Sequence, residues 1–117
     1  RPGLVLANPE RIDDETIPDF LREWEVIYSP PMENQARHSA TYLEKAIGSE
    51  WIDMNLFSLG PDTVVVDSDQ TALITLLETK GMNVVPLKLR HSRMMGGGFH
   101  CVTLDTRRRG AMESYFS

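Results

Sequence analysis

The sequence predicts an α/β fold, because strand-like apolar runs alternate along the chain with one amphipathic helical stretch. The clearest strand is at residues 63–67, whose centre is three consecutive valines, and the clearest helix follows it directly. A further strand-like run at 83–87 gives a strand–strand–helix–strand order from residue 51 onward, and a strand–helix–strand order opens the chain. The length of 117 residues suits one small domain or a piece of a larger one.

The first part of the chain predicts two strands around a helix. Residues 3–7 contain three consecutive apolar side chains and precede the turn at 8–11. Capping residues at 14–16 favour a helix over 17–23, whose apolar residues recur at helical spacing. A second strand is predicted at 24–28, where two prolines follow and end the pairing.

The middle of the chain predicts a hairpin after an irregular segment. Residues 32–50 are polar, with a short helix over 39–46 as one option. A strand with mixed facing is expected at 51–59, and the turn at 60–62 leads into the strand at 63–67. The continuous apolar character of that last strand predicts burial on both faces.

The main helix begins near residues 68–70, where Asp67 and Gln70 have the spacing of a reciprocal N-terminal cap. Leucines at 73, 76 and 77 predict one apolar face, and Gly81 suits the C-terminal end. The next strand contains Pro86, which favours the edge of a sheet. A turn or a single helical turn is predicted at 89–95, and a final strand at 100–104.

Composition excludes several classes of protein. A net charge of −5 argues against a dedicated nucleic-acid binder, and no apolar run approaches the roughly 18 residues of a membrane span. No signal-peptide pattern is present, and a single cysteine cannot form an internal disulfide, so we expect a cytoplasmic protein. The chain opens without Met in a strand pattern, which suggests a piece of a longer protein.

Cys101 is the leading candidate for chemistry, because three glycines precede the only cysteine in the chain. Such glycines are kept where the backbone turns tightly or is closely approached. The alternative is that Cys101 is a small buried apolar residue. A nucleophilic thiol also needs a base, and His100 is disfavoured because neighbours on a strand face opposite ways. His38 and His91 are the other histidines.

Other motifs carry weaker signals. The glycines lack the spacing of a P-loop or dinucleotide fold, and no metal-ligand spacing is present. The arginines at 107–109 are interpreted as solvated or salt-bridged in an acidic chain. Arg11 has the chemistry to clamp a carboxylate, although a surface role is the simpler interpretation.

Several segments together closely resemble the amidinotransferase family, which includes the glycine and inosamine-phosphate amidinotransferases. The most specific is GGGFHC followed by an aspartate and RRRG, and similarity extends at even spacing over the chain, at residues 96–110, 2–11, 48–55 and 65–67. The resemblance implies a pentein fold, an α/β propeller of five ββαβ modules of which this chain is about the last two. Residues 1–117 are then the C-terminal portion of a single catalytic domain.

The resemblance also implies a reaction and its residues. Cys101 aligns with the family's nucleophile, which takes the amidino group of arginine and passes it to an amine without a cofactor. Arg11 aligns with the residue that binds the substrate carboxylate, and Ser49 with a serine that contacts arginine. At position 48 some relatives carry serine, whereas this chain has Gly48 and therefore no hydroxyl for that contact. The family's histidine base and its carboxylates lie upstream, so we expect this chain alone to be inactive and poorly folded.

The expected partners are small molecules, arginine and an acceptor amine, with no nucleic acid and no membrane. Glycine is the first expectation for the acceptor. An inosamine phosphate, a secondary-metabolite amine, a guanidine-hydrolase activity and a non-catalytic binding module are the alternatives. A homodimer of the full-length protein is left open.

Overall fold

The computed structural model describes four parts of the chain, residues 1–33, 49–90, 96–107 and 109–110. Their strands form one sheet of two strands and another of three, which confirms the predicted α/β class. The optional helix at 39–46 lies outside the described residues, as do His38 and His91.

The first sheet pairs β1 (Leu4–Ala7) in parallel with β2 (Glu25–Tyr28), so both opening strands were predicted to within one residue. The helix predicted at 17–23 is wrong. A single turn of 3-10 helix, Asp19–Leu21, lies there instead. Starting an α-helix costs more than a short segment recovers, and β2 begins only four residues after this turn.

The residues before that turn are organised by the carboxylate of Asp13. It accepts the backbone N–H groups of Glu15 and Thr16 at 3.0 and 2.8 Å, and the Thr16 hydroxyl at 2.8 Å. These bonds, the Thr16 hydroxyl first, lower the pKa of Asp13. The cap predicted at 14–16 is therefore supplied one residue earlier, and it closes a turn rather than a helix.

The second sheet contains β3 (Phe57–Ser58), β4 (Thr63–Asp67) and β5 (Asn83–Leu87). β3 and β4 form the predicted antiparallel hairpin, and α1 (Thr71–Thr79) connects β4 to the parallel β5. The order β3–β4–α1–β5 is one ββαβ succession. The propeller of such units stays a prediction.

The strand predicted at 51–59 is mostly wrong. A 3-10 helix, Ile52–Met54, occupies its first half, and only β3 is extended. Ser49 explains the difference, because its hydroxyl accepts the backbone N–H of Trp51 at 3.1 Å and its carbonyl accepts that of Ile52 at 3.1 Å. Those two bonds turn the chain just where the apolar pattern predicts an extended strand.

Both sheets and α1 share one apolar core. All three central valines of β4 are buried, as their continuous apolar run predicts. Leu73 and Leu77 are buried on α1 and Leu76 packs beside them, while Gly81 takes the left-handed conformation (φ +73°) that ends the helix. No helix in the described residues is long and apolar enough to cross a membrane. The core consists of Leu4, Ile27, Val64, Val66, Leu73, Leu77 and Met82.

The N-terminus of α1 is capped from a distant part of the chain. The reciprocal cap predicted for Asp67 and Gln70 does not form, because the Asp67 carboxylate accepts the N–H of Asp69 instead. The buried Gln70 amide both donates to and accepts from the backbone of Glu33. The Glu33 carboxylate then accepts the N–H of Ala72 at 2.9 Å, which satisfies a helix N–H that no neighbouring side chain reaches.

Candidate functional site

Cys101 lies in an exposed turn, so the strand predicted at 100–104 is wrong. The N–H of Val102 bonds to the carbonyl of Gly98 at 3.3 Å, and the N–H of Thr103 to that of His100 at 3.2 Å. The N–H groups of His100 and Cys101, which precede these two, both donate to Asn55 in a different segment. With its amides used in this way, the segment cannot pair as a strand.

The contact with Asn55 has two parts. The main-chain oxygen of Asn55 accepts the N–H of His100 at 3.1 Å, and its side-chain oxygen accepts the N–H of Cys101 at 3.0 Å. Asn55 itself follows the 3-10 helix directly, and its own N–H bonds to Ile52 at 2.9 Å. One residue thus fixes two successive peptide groups at the cysteine.

The glycines before Cys101 are required by close approach, as the sequence predicts. Gly97 and Gly98 are buried. A β-carbon on Gly98 would lie 2.7 Å from both the Cβ and the main-chain oxygen of Asn55, and one on Gly97 would lie 2.8 Å from the Cβ of Cys101. Packed carbon atoms stay roughly 3.5–4.0 Å apart, so only glycine fits at these two positions.

His100 does not act on the thiol in this arrangement. The reason given from the sequence fails, since the two residues do not lie on a strand. Among the described residues, however, neither the His100 ring nor the Cys101 thiol makes a hydrogen bond, and both residues are exposed. His100 is therefore not placed as a base for Cys101 within the described residues.

Arg11 ends a turn built by Asn8. The Asn8 carbonyl accepts the N–H groups of Arg11 and Ile12 at 3.1 and 2.9 Å, while its side chain accepts that of Glu10 at 2.9 Å. Arg11 is exposed, and its guanidinium pairs with no group in the parts of the chain that the structure covers. Its donors therefore remain available for a carboxylate.

Ser49 belongs to a segment that contacts the Arg11 turn. The indole N–H of Trp51 donates to the Glu10 carboxylate at 2.9 Å, across 41 positions of sequence. Because Ser49 holds the backbone of Trp51 and Glu10 precedes Arg11, this bond connects the two segments that contain the residues predicted to bind substrate.

Hydrogen bonds thus join all three predicted site segments in series. The Arg11 turn bonds to the Ser49 segment through Glu10 and Trp51, and that segment bonds to the Cys101 turn through Asn55. Arg11, Ser49 and Cys101 were predicted from the sequence, whereas Asn55 was assigned no role. The only signal for it was its presence in the 48–55 stretch that resembles the amidinotransferases.

Metal binding and the arginine triplet add little to this site. Within residues 1–33, 49–90, 96–107 and 109–110, no three His, Cys, Asp or Glu side chains are grouped to hold a metal ion. Arg107 and Arg109 line an open groove with Trp24 and the β3–β4 turn, whereas Arg108 lies outside the described residues.

Individual proteins of known sequence match this chain, although no family profile does. Inosamine-phosphate amidinotransferase 1 of Streptomyces griseus is 56% identical over 98% of this chain, and mitochondrial glycine amidinotransferase of Xenopus tropicalis is 35% identical over 99%. The chain spans between a quarter and a third of the length of these relatives, 32% and 26% respectively.

Solved structures agree with the sequence matches. The S. griseus inosamine-phosphate amidinotransferase superposes over 100% of this chain and 32% of its own, with a TM-score of 0.89. An amidinotransferase of the saxitoxin biosynthetic pathway from Microseira wollei matches 98% of this chain and 32% of its own, with a TM-score of 0.82 at 31% identity. By sequence and by fold, nearly the whole of this chain is similar to amidinotransferases, over about a third of their length or less.

Proposed function

We propose that this chain is the C-terminal, nucleophile-bearing part of an enzyme that moves the amidino group of arginine to an amine. The observation that carries the proposal is the 56% identity to an inosamine-phosphate amidinotransferase over nearly the whole chain. The exposed thiol of Cys101 and the unpaired guanidinium of Arg11 support it from the described residues.

The reaction would proceed in two steps. The Cys101 sulfur attacks the guanidinium carbon, a carbon–sulfur bond forms, and the carbon–nitrogen bond to ornithine breaks as the leaving nitrogen takes a proton. The acceptor nitrogen then attacks the same carbon, loses a proton, and displaces the thiolate. The proton donor and acceptor would be a histidine in the part of the protein that this chain does not cover.

The amides at Cys101 support guanidinium chemistry over acyl transfer. An acyl-transfer enzyme aims N–H groups at a developing oxyanion, and the N–H of the nucleophile is often one of them. Here the N–H groups of His100 and Cys101 both donate to Asn55. Attack on a guanidinium carbon develops no oxyanion, so it has no need of those two donors.

For the acceptor, we propose an inosamine phosphate ahead of glycine. Identity to the inosamine-phosphate relative is 56%, against 35% for the glycine relative, and both alignments cover at least 98% of this chain. Glycine, the first expectation from the sequence, becomes the second candidate.

The test is an assay of the full-length protein with labelled arginine and one amine at a time. We expect ornithine and a labelled guanidino product with an inosamine phosphate, much less with glycine, and none from Cys101→Ala. His100→Ala is the matched control and should keep activity, because its ring makes no hydrogen bond among the described residues. Citrulline formed without an acceptor would indicate a hydrolase, and no ornithine with any amine would refute the proposal.

A further inference from the structure

We infer that Asn55 is a positioning residue for the Cys101 nucleophile, an inference that rests on the function proposed above. It acts on the backbone at the cysteine and not on the thiol. Its two oxygens accept successive N–H groups, from His100 at 3.1 Å and from Cys101 at 3.0 Å. His100 and Cys101 lie 45 and 46 positions after Asn55 in sequence, so the contact sets the relative placement of two separate segments.

Two bonds to adjacent amides restrict the turn more than one bond could. One hydrogen bond fixes a distance and leaves rotation about it, whereas these two hold the successive peptide groups 99–100 and 100–101 and so restrict the backbone rotation between them. The backbone nitrogen and the Cα of Cys101, from which its Cβ projects, are thereby held in place. Since the thiol is exposed and makes no hydrogen bond within the described residues, its direction depends on this backbone restraint.

The packing beneath the turn makes the restraint specific. Gly98 lies so close to Asn55 that a β-carbon there would be 2.7 Å from its Cβ, and 2.9 Å from the carbonyl oxygen of Ile52. The turn therefore rests directly on the backbone of the 3-10 helix. A side chain at position 55 has to be short enough for this contact and has to offer an oxygen to the N–H of Cys101. Asparagine and aspartate meet both conditions, and leucine fails the second.

The test uses the full-length protein with Asn55→Leu, Asn55→Asp and the matched control Asn83→Leu, which makes the same change at an exposed position at the start of β5. Two quantities are measured, the rate of Cys101 alkylation by iodoacetamide against pH, and kcat and KM for ornithine formation. Because a misplacement of about 1 Å costs roughly 100-fold in the rate of a reaction between bound groups, Asn55→Leu should lower kcat by ~10- to 100-fold, with a smaller change in the KM for arginine. Asn83→Leu should change neither quantity.

Asn55→Asp separates positioning from folding. It keeps the acceptor oxygen, so the limiting alkylation rate at high pH should match that of the wild type. It also places a negative charge against the backbone N–H of Cys101, which disfavours the thiolate of the same residue, so the alkylation midpoint should move to higher pH. This result stands even where Asn55→Leu fails to fold.

Two results would overturn the inference: a wild-type kcat in Asn55→Leu, or an Asn55→Asp protein whose alkylation midpoint is unmoved. If the wild-type protein forms no ornithine with any amine, the proposed function fails, while the alkylation comparison still decides the role of Asn55.

Discussion

Gly98→Ala is expected to displace the Cys101 turn, because the space for a methyl group is already occupied. The added carbon would lie 2.7 Å from two atoms of Asn55 and 2.9 Å from the Ile52 carbonyl oxygen. That is about an ångström short of the usual separation of packed carbon atoms. Two of the three blocking atoms are backbone, so no rotamer change removes the overlap.

The expected cost combines stability and activity. Overpacking of this kind typically destabilises a folded protein by ~1–3 kcal/mol. Since the turn moves away from Asn55, kcat should also fall by about 100-fold, the usual effect of a displacement near 1 Å. Thermal unfolding and ornithine formation by the full-length protein measure the two effects.

Gly60→Ala is the matched control for this prediction. Its β-carbon would meet only the Asp62 carboxylate, at 4.0 Å, and its backbone is not in the left-handed region. We expect its stability to be equal to or slightly above that of the wild type, because alanine has less freedom to lose on folding. If Gly98→Ala matches Gly60→Ala in both stability and kcat, the close contact between Gly98 and Asn55 is refuted.

Three further changes test other parts of the account. Leu77→Ala should lower the free energy of unfolding by ~2–5 kcal/mol in urea titrations, since Leu77 is 4% exposed in the core, whereas exposed Thr75→Ala should change it by less than ~0.5 kcal/mol. The Glu33 carboxylate accepts hydrogen bonds at the start of α1, first from the backbone N–H of Ala72 and then from a hydroxyl, and these bonds lower its pKa below the usual 4.5. The ionised carboxylate therefore stabilises the fold above pH 4.5, and this stabilisation is lost as the pH falls through the folded pKa. Glu33→Gln should be less stable than the wild type at pH 7, and the difference should shrink on acidification. Trp51→Phe removes the hydrogen bond to Glu10, the residue before Arg11. Because one hydrogen bond is lost, the KM for arginine should rise by roughly 3- to 10-fold, with a smaller change in kcat. An unchanged KM would show that this bond does not contribute to arginine binding.

The local hydrophobic pattern was sufficient to predict β4 and α1, whose structures depend mainly on their own side chains. Three consecutive valines predicted β4 and its burial on both faces, and the leucine spacing predicted the buried face of α1. The three glycines before Cys101 also predicted a close approach, and a β-carbon at Gly97 or Gly98 would indeed clash.

The wrong predictions share a physical cause, which is competition from polar contacts that the pattern does not reveal. Ser49 turned a predicted strand into a 3-10 helix through bonds to the next residues. The Gln70 side chain is hydrogen-bonded to the backbone of Glu33, 37 positions away, so the predicted local cap could not form. The apolar run after His100 did not become a strand, because Asn55 holds the amides at its start.

The candidate site was predictable only in part for the same reason. Cys101, Arg11 and Ser49 followed from motifs and resemblance, and these predictions of their roles await experiment. The bonds that connect their segments, from Trp51 to Glu10 and from Asn55 to Cys101, span 41 and 46 positions. Contacts at such separation depend on the fold and leave no periodic signal in the sequence.

The central claim is that Cys101 carries the amidino group between arginine and the acceptor. The most direct measurement is the mass of the full-length protein after incubation with arginine and no acceptor, followed by peptide mapping. The account predicts one added amidino group on the peptide that contains Cys101, lost when an acceptor amine is supplied and absent from Cys101→Ala. Ornithine formation without that adduct, or an adduct on another residue, would contradict it.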